Sequence, residues 1–483
     1  MLPKSILSVL SVASLVASLV ASLTPYFLNI FLIWSVLSCA HAPSTSSPFD
    51  KDQTRTGLWL QEETRTPRIF VLFFQPQELH SLADFLDRLL EGIGQRNQRV
   101  FLIASDSSFS LIQKELQKRR TPFQQKLIQV KSESLEGSHL YDWKVFESKG
   151  GELQVVRVGS PFNEGELAQF DFLLKDISRF LGTKKEPVEI KISSLLPRDF
   201  DLETGQVGRT GGNFEAWPFK IGLISSSDFS SEKEFQSFLP WVFNEEMRVH
   251  GLDTTWARGG RLVDFVKVLQ VRQTQSGCVL DAMIASPRRA QELLEKKSAE
   301  KFFEKLPAQF VSREDWISGR KHFCEKLGIV RPSCTEDLSN EEILSVLGSQ
   351  AHFLSVQMWA EQKLQEFKRS LESRLKNQCL VNWISVPMIY SGNVVDGQVQ
   401  NFSGEALLPP PLNSVLVGQT LIAMNYPSKV FQDDLRVQLR KVRHHIEYLS
   451  PESDFWQTGP MSSRGIQSRL LILREPLVQS RGD

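Results

Sequence analysis

Few residue patterns in this chain of 483 residues belong to a known kind of catalytic site. Its five cysteines, Cys39, Cys278, Cys324, Cys334 and Cys379, form neither a CxxC pair nor a Cys/His set with the spacing of a zinc site. The sequence contains no Walker motif, no HExxH and no GxSxG. These motifs therefore predict no phosphate cradle, zinc protease or serine hydrolase.

The paired histidines and the cysteines have structural interpretations. His444 and His445 are adjacent on a basic run, where a metal pair or proton shuttle would be one option, but solvated side chains are the usual outcome. Cys278 lies in an apolar, strand-like run, which favours a buried free thiol. Cys324 and Cys334 could close a loop by a disulfide if the domain is exported, an option that spacing alone leaves open.

Three blocks of sequence carry the other polar candidates. They are TGGNFEAWPF at residues 210–219, WARGGRLVDFVKVL at 256–269 and DAMIASPRRAQELLEK at 281–296. Glycine supplies turn geometry, and the β-branched or aromatic runs beside it fit a pleated sheet. Each block is therefore predicted to be a strand or tight turn that leads into a helix or another strand.

Strands and helices alternate along the chain after residue 67. Apolar runs at 68–74 and 99–105 predict buried strands, and the segment between them has the three- and four-residue apolar spacing of an amphipathic helix. The longest predicted helix covers 354–375, where alternating charges are typical of a solvated outer face. This alternation predicts an α/β domain over residues 67–483.

In order and spacing, the three blocks resemble the catalytic domain of the protein-arginine deiminases. That family reads roughly GNLEVSP, then WxxxGHVDEFxxFV, then LLLASPR before a helix. The segment HLYDWKVFESKGGELQVV at 139–156 is similar to the family's WxQDE segment, and PPLNSVLVG at 410–418 to its PNMVNMLVLG. The resemblance implies the five-bladed α/β propeller, the pentein-like fold shared with guanidine-modifying hydrolases and transferases.

The resemblance also implies calcium-dependent hydrolysis of peptidyl-arginine to peptidyl-citrulline. In the family a Cys thiolate attacks the guanidinium carbon, two Asp carboxylates clamp the cationic nitrogens and a His moves protons. The corresponding positions here hold Phe146, Arg261, Val263 and Gly459. An apolar side chain can neither pair with a guanidinium nor carry a proton, and an arginine repels one. The resemblance therefore predicts that catalysis is lost.

The substrate and calcium positions of the family diverge as well. A one-residue shift would offer Asp264 as a retained carboxylate clamp, while the arginines that hold substrate backbone in the family correspond to Phe162 and Glu164. Glu215 matches one calcium ligand of the family, and hard oxygen ligands suit calcium. The matching partner positions carry no carboxylate, so a hydrogen-bonded or solvated Glu215 in a turn is favoured. Calcium is implied by the resemblance alone, and no other cofactor is expected.

The N-terminal region predicts export. Residues 1–38 are almost free of charge and predict a signal peptide or membrane anchor, with a lipobox ending at Cys39, which would carry the lipid. Residues 39–66 predict a flexible tether. An uncleaved anchor, cleavage after Ala42 and a downstream start codon remain alternatives. The expected location is a membrane-anchored lipoprotein, in the periplasm or at the cell surface.

The charge balance excludes one partner class. Lys+Arg and Asp+Glu are equal at 56 each, so no overall field attracts nucleic acid. The leading hypothesis is an exported pseudoenzyme that serves as a scaffold or binding protein for an unknown protein or an anionic ligand. An active deiminase or related guanidine hydrolase, with Cys278 or Cys379 in a rearranged site, is the alternative. In a third hypothesis Arg261 binds an anionic group by charge-assisted hydrogen bonds.

Overall fold

The structure is a computed structural model, in which the chain divides into two units, Met1–Thr54 and Arg55–Asp483. The residues that it describes all lie in the second unit. They are 58–62, 64–74, 79–94, 96–131, 143–148, 153–158, 173–175, 177–178, 180, 190–195, 214–225, 247–257, 261–275, 277–296, 351–392, 394–395, 398–400, 404–406, 410–424, 429–449 and 470–474. Among them, no helix is long and apolar enough to span a bilayer.

Strands and helices alternate along these residues. The strands are β1 (Leu58–Leu60), β2 (Pro67–Phe73), β3 (Arg99–Ala104), β4 (Leu127–Lys131), β5 (Trp143–Ser148), β6 (Leu153–Val158), β7 (Ile190–Leu195), β8 (Phe214–Trp217), β9 (Ile221–Ser225), β10 (Arg248–Leu252), β11 (Val266–Thr274), β12 (Gly277–Ser286), β13 (Leu380–Pro387), β14 (Tyr390–Ser391), β15 (Val394–Val395), β16 (Gln398–Val399), β17 (Glu405–Ala406), β18 (Val415–Val417), β19 (Thr420–Ala423), β20 (His445–Tyr448) and β21 (Leu470–Arg474). The longer helices are α1 (Leu79–Ile93), α2 (Asp106–Arg119), α3 (Pro287–Lys296), α4 (Ala351–Leu375) and α5 (Lys429–Lys441).

Five sheets of three or four strands occur in the described part of the chain, and they share one pattern. Their strand orders are β1-β5-β6-β7, β10-β9-β8, β11-β12-β13, β18-β19-β20 and β21-β2-β3-β4. Each contains an antiparallel pair whose second strand also pairs in parallel with the next one. A parallel pair needs a crossover. Helix α1 lies between β2 and β3, α3 and α4 between β12 and β13, and α5 between β19 and β20. The predicted α/β class is confirmed.

Strands from opposite ends of the second unit share one sheet. Strand β21 pairs antiparallel with β2, and Leu72 lies opposite Leu470. Leu72 and Leu470 are both buried, as are their neighbours Phe70 and Leu471. Burial of such apolar strands stabilises the pairing by roughly 25 cal/mol for each Å² of apolar surface removed from water. This offsets the entropy of closing a very long loop.

The predicted helices and strands are found close to their expected bounds. The amphipathic helix is α1, which buries Leu82, Leu86, Leu89 and Ile93 at three- and four-residue spacing. The helix expected at 354–375 is α4, and it buries one stripe: Val356, Ala360, Leu364, Phe367, Leu371 and Leu375. Its opposite face is exposed, as the charge pattern predicted.

The block DAMIASPRRAQELLEK forms the end of β12 and helix α3. Pro287 is the first residue of the helix, where its fixed φ fits and its missing N–H is no loss. Ser286 accepts a hydrogen bond at Oγ from the Arg289 amide at 3.1 Å, which caps the helix. On α4, Glu361 accepts bonds from the Ser286 hydroxyl (3.3 Å) and the Arg288 amide (3.1 Å). The helix start is thereby tied to α4.

Candidate functional site

Arg261 and Asp264 form an ion pair just before strand β11. A short 3-10 turn over Leu262–Asp264 brings the two side chains together, and Arg261 Nε donates to Asp264 Oδ2 at 3.2 Å. Both side chains are largely buried, at 7% and 16% exposed. Since Arg261 occupies the position that the resemblance gave to a proton-carrying His, this pair lies where deiminase chemistry was predicted to be lost.

Asp264 is bound from a second side as well. Asn413, just before β18, donates from Nδ2 to Asp264 Oδ1 at 3.2 Å. Burial raises the pKa of the Asp264 carboxyl, and this effect outweighs the opposing influence of Arg261 and Asn413. Both carboxylate oxygens thus have partners within the chain. A guanidinium ligand would have to displace Arg261 to reach this carboxylate.

Three aromatic rings lie beside the pair. Trp256 is 5.6 Å from Phe265 and 5.1 Å from Tyr390, and Phe265 stacks on Tyr390 at 6.1 Å between centroids. Gln357 holds Tyr390 in place because its amide bonds both the Tyr390 carbonyl (2.6 Å) and the Tyr390 amide (3.0 Å). Burial, and then the charge of Asp264, raise the pKa of Tyr390 well above its usual value. The phenol is therefore neutral at ordinary pH.

A glycine permits this aromatic arrangement. The Gly404 amide donates to the Trp256 carbonyl at 2.7 Å, and a Cβ at Gly404 would collide with the Trp256 ring. Any side chain at this position would therefore push the indole away from Tyr390.

The other positions predicted from the resemblance fall into two groups. Phe146 lies on β5, is buried and pairs with Leu60 and Gln154, and Val263 is buried in the 3-10 turn. Phe162, Glu164, Gly459 and Cys39 lie outside the described residues. The structure thus brings Arg261, Val263 and Asp264 into one short turn by sequence proximity.

Glu215, which matches a calcium ligand of the family, has a hydrogen-bond partner within its own strand. It lies in strand β8 rather than in the predicted turn, is buried, and accepts a hydrogen bond from the Trp217 indole at 3.2 Å. Calcium needs six to eight oxygen ligands, several of them carboxylates. Across the described ranges, no group of three or more His, Cys, Asp or Glu side chains could hold a metal ion. The hydrogen-bonded interpretation of Glu215 agrees with its contacts.

The interpretation of Cys278 as a free thiol is wrong. Cys278, at the start of β12, forms a disulfide with Cys379, which directly precedes β13. These strands are parallel neighbours, so residues 101 apart in sequence come within a Cα separation of 4.6 Å. Neither sulfur is a thiolate nucleophile while this bond is intact. Cys324 and Cys334 lie outside the described residues.

A buried polar cluster around Asp281 was missed at the sequence level. Asp281 is fully buried in β12 and receives hydrogen bonds from Arg272 Nη2 (2.8 Å), Gln270 Nε2 (2.9 Å) and Asn382 Nδ2 (2.7 Å). Burial alone would raise the pKa of Asp281, but the bonds from Arg272, Asn382 and Gln270 outweigh it and leave the pKa low. A single acid within the apolar run CVLDAMIAS was the available signal, because a buried charge needs partners.

The solvated interpretation of the histidine pair is half wrong. His445 is exposed, but His444 is buried and its Nδ1 lies 3.1 Å from the Val442 carbonyl. Burial lowers the pKa of His444, so its ring is neutral near pH 7. The reason is that the chain turns back at Arg443, which has a positive φ of 62°, and directs alternate side chains inward.

Comparison with known proteins gives matches among solved structures. No protein-family description and no curated protein matches the sequence. Agmatine deiminase of C. jejuni matches with a TM-score of 0.46 and 12% identity, covering 87% of this chain and 97% of that one. Agmatine deiminase of Enterococcus faecalis matches with a TM-score of 0.42 and 10% identity, over 87% and 96% of the two chains. The chain resembles deiminases.

An amidinotransferase from Microseira wollei is also similar. It matches with a TM-score of 0.34 and 10% identity, over 86% of this chain and 96% of that one. The predicted likeness to deiminases is thus confirmed among solved structures. At such low identities and TM-scores, the likeness concerns structure and says nothing of activity.

Proposed function

We propose that this protein is a non-catalytic binding protein with a five-bladed, pentein-like α/β fold. The observation that carries the proposal is the pair of Arg261 and Asp264, in which a guanidinium of the chain itself binds the carboxylate. A guanidinium substrate needs such a carboxylate partner. The carboxylate that a one-residue shift would offer as a clamp is therefore occupied by a side chain of the chain itself.

The cysteines support the same proposal. The rearranged enzyme would use Cys278 or Cys379 as the nucleophile, and these two sulfurs are bonded to each other. An attacking thiolate must be free and near its base. Their bond leaves no thiolate for attack among the residues that the structure describes.

The repeated sheet pattern supports the fold assignment. Five sheets in the described ranges each combine an antiparallel pair with a parallel neighbour, and helices lie in four of the crossovers between parallel strands. One repeated unit of this kind for each blade is what a five-bladed propeller requires. The pairing of β21 with β2 supplies the contact between distant chain segments that closing a ring needs.

The disulfide also supports export. Disulfides persist in oxidising compartments and are rare in the cytosol. We therefore place the domain outside the cytoplasm, held to a membrane through a lipid on Cys39. The tether expected at residues 39–66 is proposed to end before β1, because Leu58–Leu60 already pairs with β5. This assignment is a proposal that fractionation of cells expressing the full chain would test.

An assay of ammonia release tests the loss of catalysis. Agmatine and a peptidyl-arginine substrate are each supplied with and without calcium, and with and without a thiol reductant. We expect no release above the buffer rate in any condition, from protein whose circular dichroism shows it to be folded. An active agmatine deiminase serves as the positive control.

One result would overturn the proposal. Ammonia release that depends on reductant and disappears in both Cys278→Ser and Cys379→Ser would mean that the disulfide conceals a nucleophile. Release that disappears in Asp264→Asn would instead mean that Arg261 moves aside for the substrate. Arg289→Gln, which breaks the pair with Asp434 on α5 away from Asp264, is the matched control.

A further inference from the structure

A cavity of about 200 Å³ lies among strands β11, β18 and β21. The segments that precede β2 and β3 complete its wall. Its volume is below the roughly 300–1,000 Å³ of pockets for drug-sized ligands. A small ligand therefore suits it better than a large one.

The charged side chains that the described structure places in the cavity wall are basic. They are Arg65, Arg96, Lys267 and Arg474, and no Asp or Glu is among the described lining residues. Lys267 and Arg474 are each only 7% exposed, so their charges are held away from bulk water. Cations gathered in a low-dielectric cavity repel one another and attract an anion.

The fold holds these cations in place from outside the cavity. Arg65 Nη1 lies 2.7 Å from Oε2 of Glu147, which is fully buried on β5. Gln61 brackets the backbone of Arg474, since its Oε1 accepts from the Arg474 amide (3.0 Å) and its Nε2 donates to the Arg474 carbonyl (3.3 Å). The Arg65 side chain and the Arg474 backbone are thus positioned by contacts that do not involve a ligand.

Gly418 makes room for the third arginine. It forms the turn between β18 and β19 with a positive φ of 64°, and a Cβ there would collide with the Arg96 guanidinium. Because glycine has no side chain and tolerates this φ, the guanidinium lies directly against the turn. The cavity thus receives a flat, donor-rich group on this side.

Neutral polar groups complete the lining. Ser414 and Gln98 are buried, with a hydroxyl and an amide that can bond a ligand oxygen or hydroxyl. The Gln98 Nε2 donates to the Pro67 carbonyl, while its Oε1 has no hydrogen-bond partner in the described structure. Any oxyanion presents acceptors to a hydroxyl donor, and phosphate, which keeps a proton near pH 7, also presents a donor to the Gln98 Oε1.

We propose that this cavity is a binding site for a small oxyanion of the phosphate or sulfate type, either free or as the terminal group of a small molecule. This inference adds a ligand class to the binding function proposed above, and the role of the site rests on that proposal. It uses neither Arg261 nor Asp264. Guanidinium binding, by contrast, is opposed here by the basic side chains of the described lining.

The test is a calorimetric titration of the protein, exchanged into phosphate-free buffer, with inorganic phosphate, sulfate and glycerol phosphate. We expect saturable binding of at least one of the three. Tighter binding of glycerol phosphate than of phosphate would identify a phosphorylated small molecule as the ligand class, and the reverse would identify the free anion. No saturable binding of any probe would overturn the proposal.

Charge-neutralising variants locate the site. Arg96→Gln and Lys267→Gln should each weaken binding roughly tenfold or more, because each removes a charge-assisted hydrogen bond. The control Lys114→Gln removes an equal charge from the exposed face of α2 and should bind as wild type does. Unchanged affinity in Arg96→Gln, whose side chain is exposed and dispensable for the core, would show an adventitious ion only.

The titration and the ammonia assay test the two proposals independently. Loss of anion binding with no ammonia release would remove this site and leave the non-catalytic proposal standing. Anion binding together with ammonia release would keep the site and overturn that proposal. Melting curves without any anion show whether Lys267→Gln is folded, and Arg96→Gln alone decides the matter if it is not.

Discussion

Arg261 Nε donates to Asp264 Oδ2 at 3.2 Å, three residues along the same turn. The sequence suggested two separate roles here: Asp264 as a retained carboxylate clamp and Arg261 as a cation for an anionic ligand. In the structure these two residues bind each other. Each group satisfies the other, since burying either charge alone would be costly. Because Arg261 is engaged by a carboxylate of its own turn, we place the proposed anion site elsewhere.

Removing Arg261 should open Asp264 to an external guanidinium. In Arg261→Ala the carboxylate keeps Asn413 but loses its cationic partner, so we expect lower stability than wild type and a rise in melting temperature when methylguanidine is added. Thermal unfolding with and without methylguanidine measures this. The double variant with Asp264→Asn should show no such rise. An equal rise in melting temperature for wild type would contradict the proposal that Arg261 occupies the Asp264 carboxylate.

Reduction of the disulfide should destabilise the domain. The bond between Cys278 and Cys379 closes a long loop, with a sequence separation of 101. Loop-closure entropy in the unfolded chain predicts a loss of about 2–5 kcal/mol in the free energy of unfolding. Urea unfolding with and without reductant measures it. The double variant Cys278→Ala and Cys379→Ala should be equally unstable in both conditions, and a reductant effect on it would point to other cysteines.

Acid should weaken the fold through His250. This residue is buried in β10, and burial, with the nearby charges of Arg374 and Arg248, lowers its pKa to about 4. The unfolded chain binds the proton near pH 6.5 and the folded chain does not. Stability should therefore fall as pH drops from about 6.5 to about 4, by on the order of 1–3 kcal/mol.

Substitution of His250 isolates this effect. His250→Gln has no ionisable group, so its free energy of unfolding should change less over the same pH range. Urea unfolding of both proteins at pH 7 and pH 5 gives the comparison. An equal fall in the free energy of unfolding between pH 7 and pH 5 in both proteins would mean that other groups cause the acid sensitivity.

Loss of the Asp281 carboxylate should destabilise the protein more than loss of an exposed one. Asp281→Asn removes the buried carboxylate that Arg272 binds, and because Arg272 is 36% exposed and can be solvated, we expect a cost of about 1–3 kcal/mol at pH 7. Asp433→Asn, which breaks a surface pair with Arg436 on α5, should cost at most about 1 kcal/mol. Urea unfolding of the two variants measures the difference. Equal losses would mean that the buried cluster contributes no more than a surface pair.

Lipid attachment through Cys39 is testable in cells. The lipobox predicts that the full chain incorporates labelled palmitate and sediments with membranes. Cys39→Ala should lose the label, whereas Cys278→Ala should keep it. Retention of label in Cys39→Ala would move the modification elsewhere.

Local patterns were enough to predict the elements. The apolar spacing of α1 and the runs of β2 and β3 indicated their type, and the block at 281–296 was expected to lead from a strand or turn into a helix or another strand. Such features depend on residues within a few positions of each other. The same blocks, read in order, indicated the likeness to deiminases that solved structures also show.

The tertiary structure determined which residues from distant parts of the sequence are in contact. Cys278 meets Cys379 only because β12 and β13 pair in parallel, and Asn413 reaches Asp264 across 149 positions. The cationic cavity collects Arg65, Lys267 and Arg474 from three distant segments. Sequence alone determined the elements and predicted the substituted catalytic positions, since both depend on local residue type. Pairing and charge clustering depend on contacts between remote segments, and these are set by the packing of the whole core.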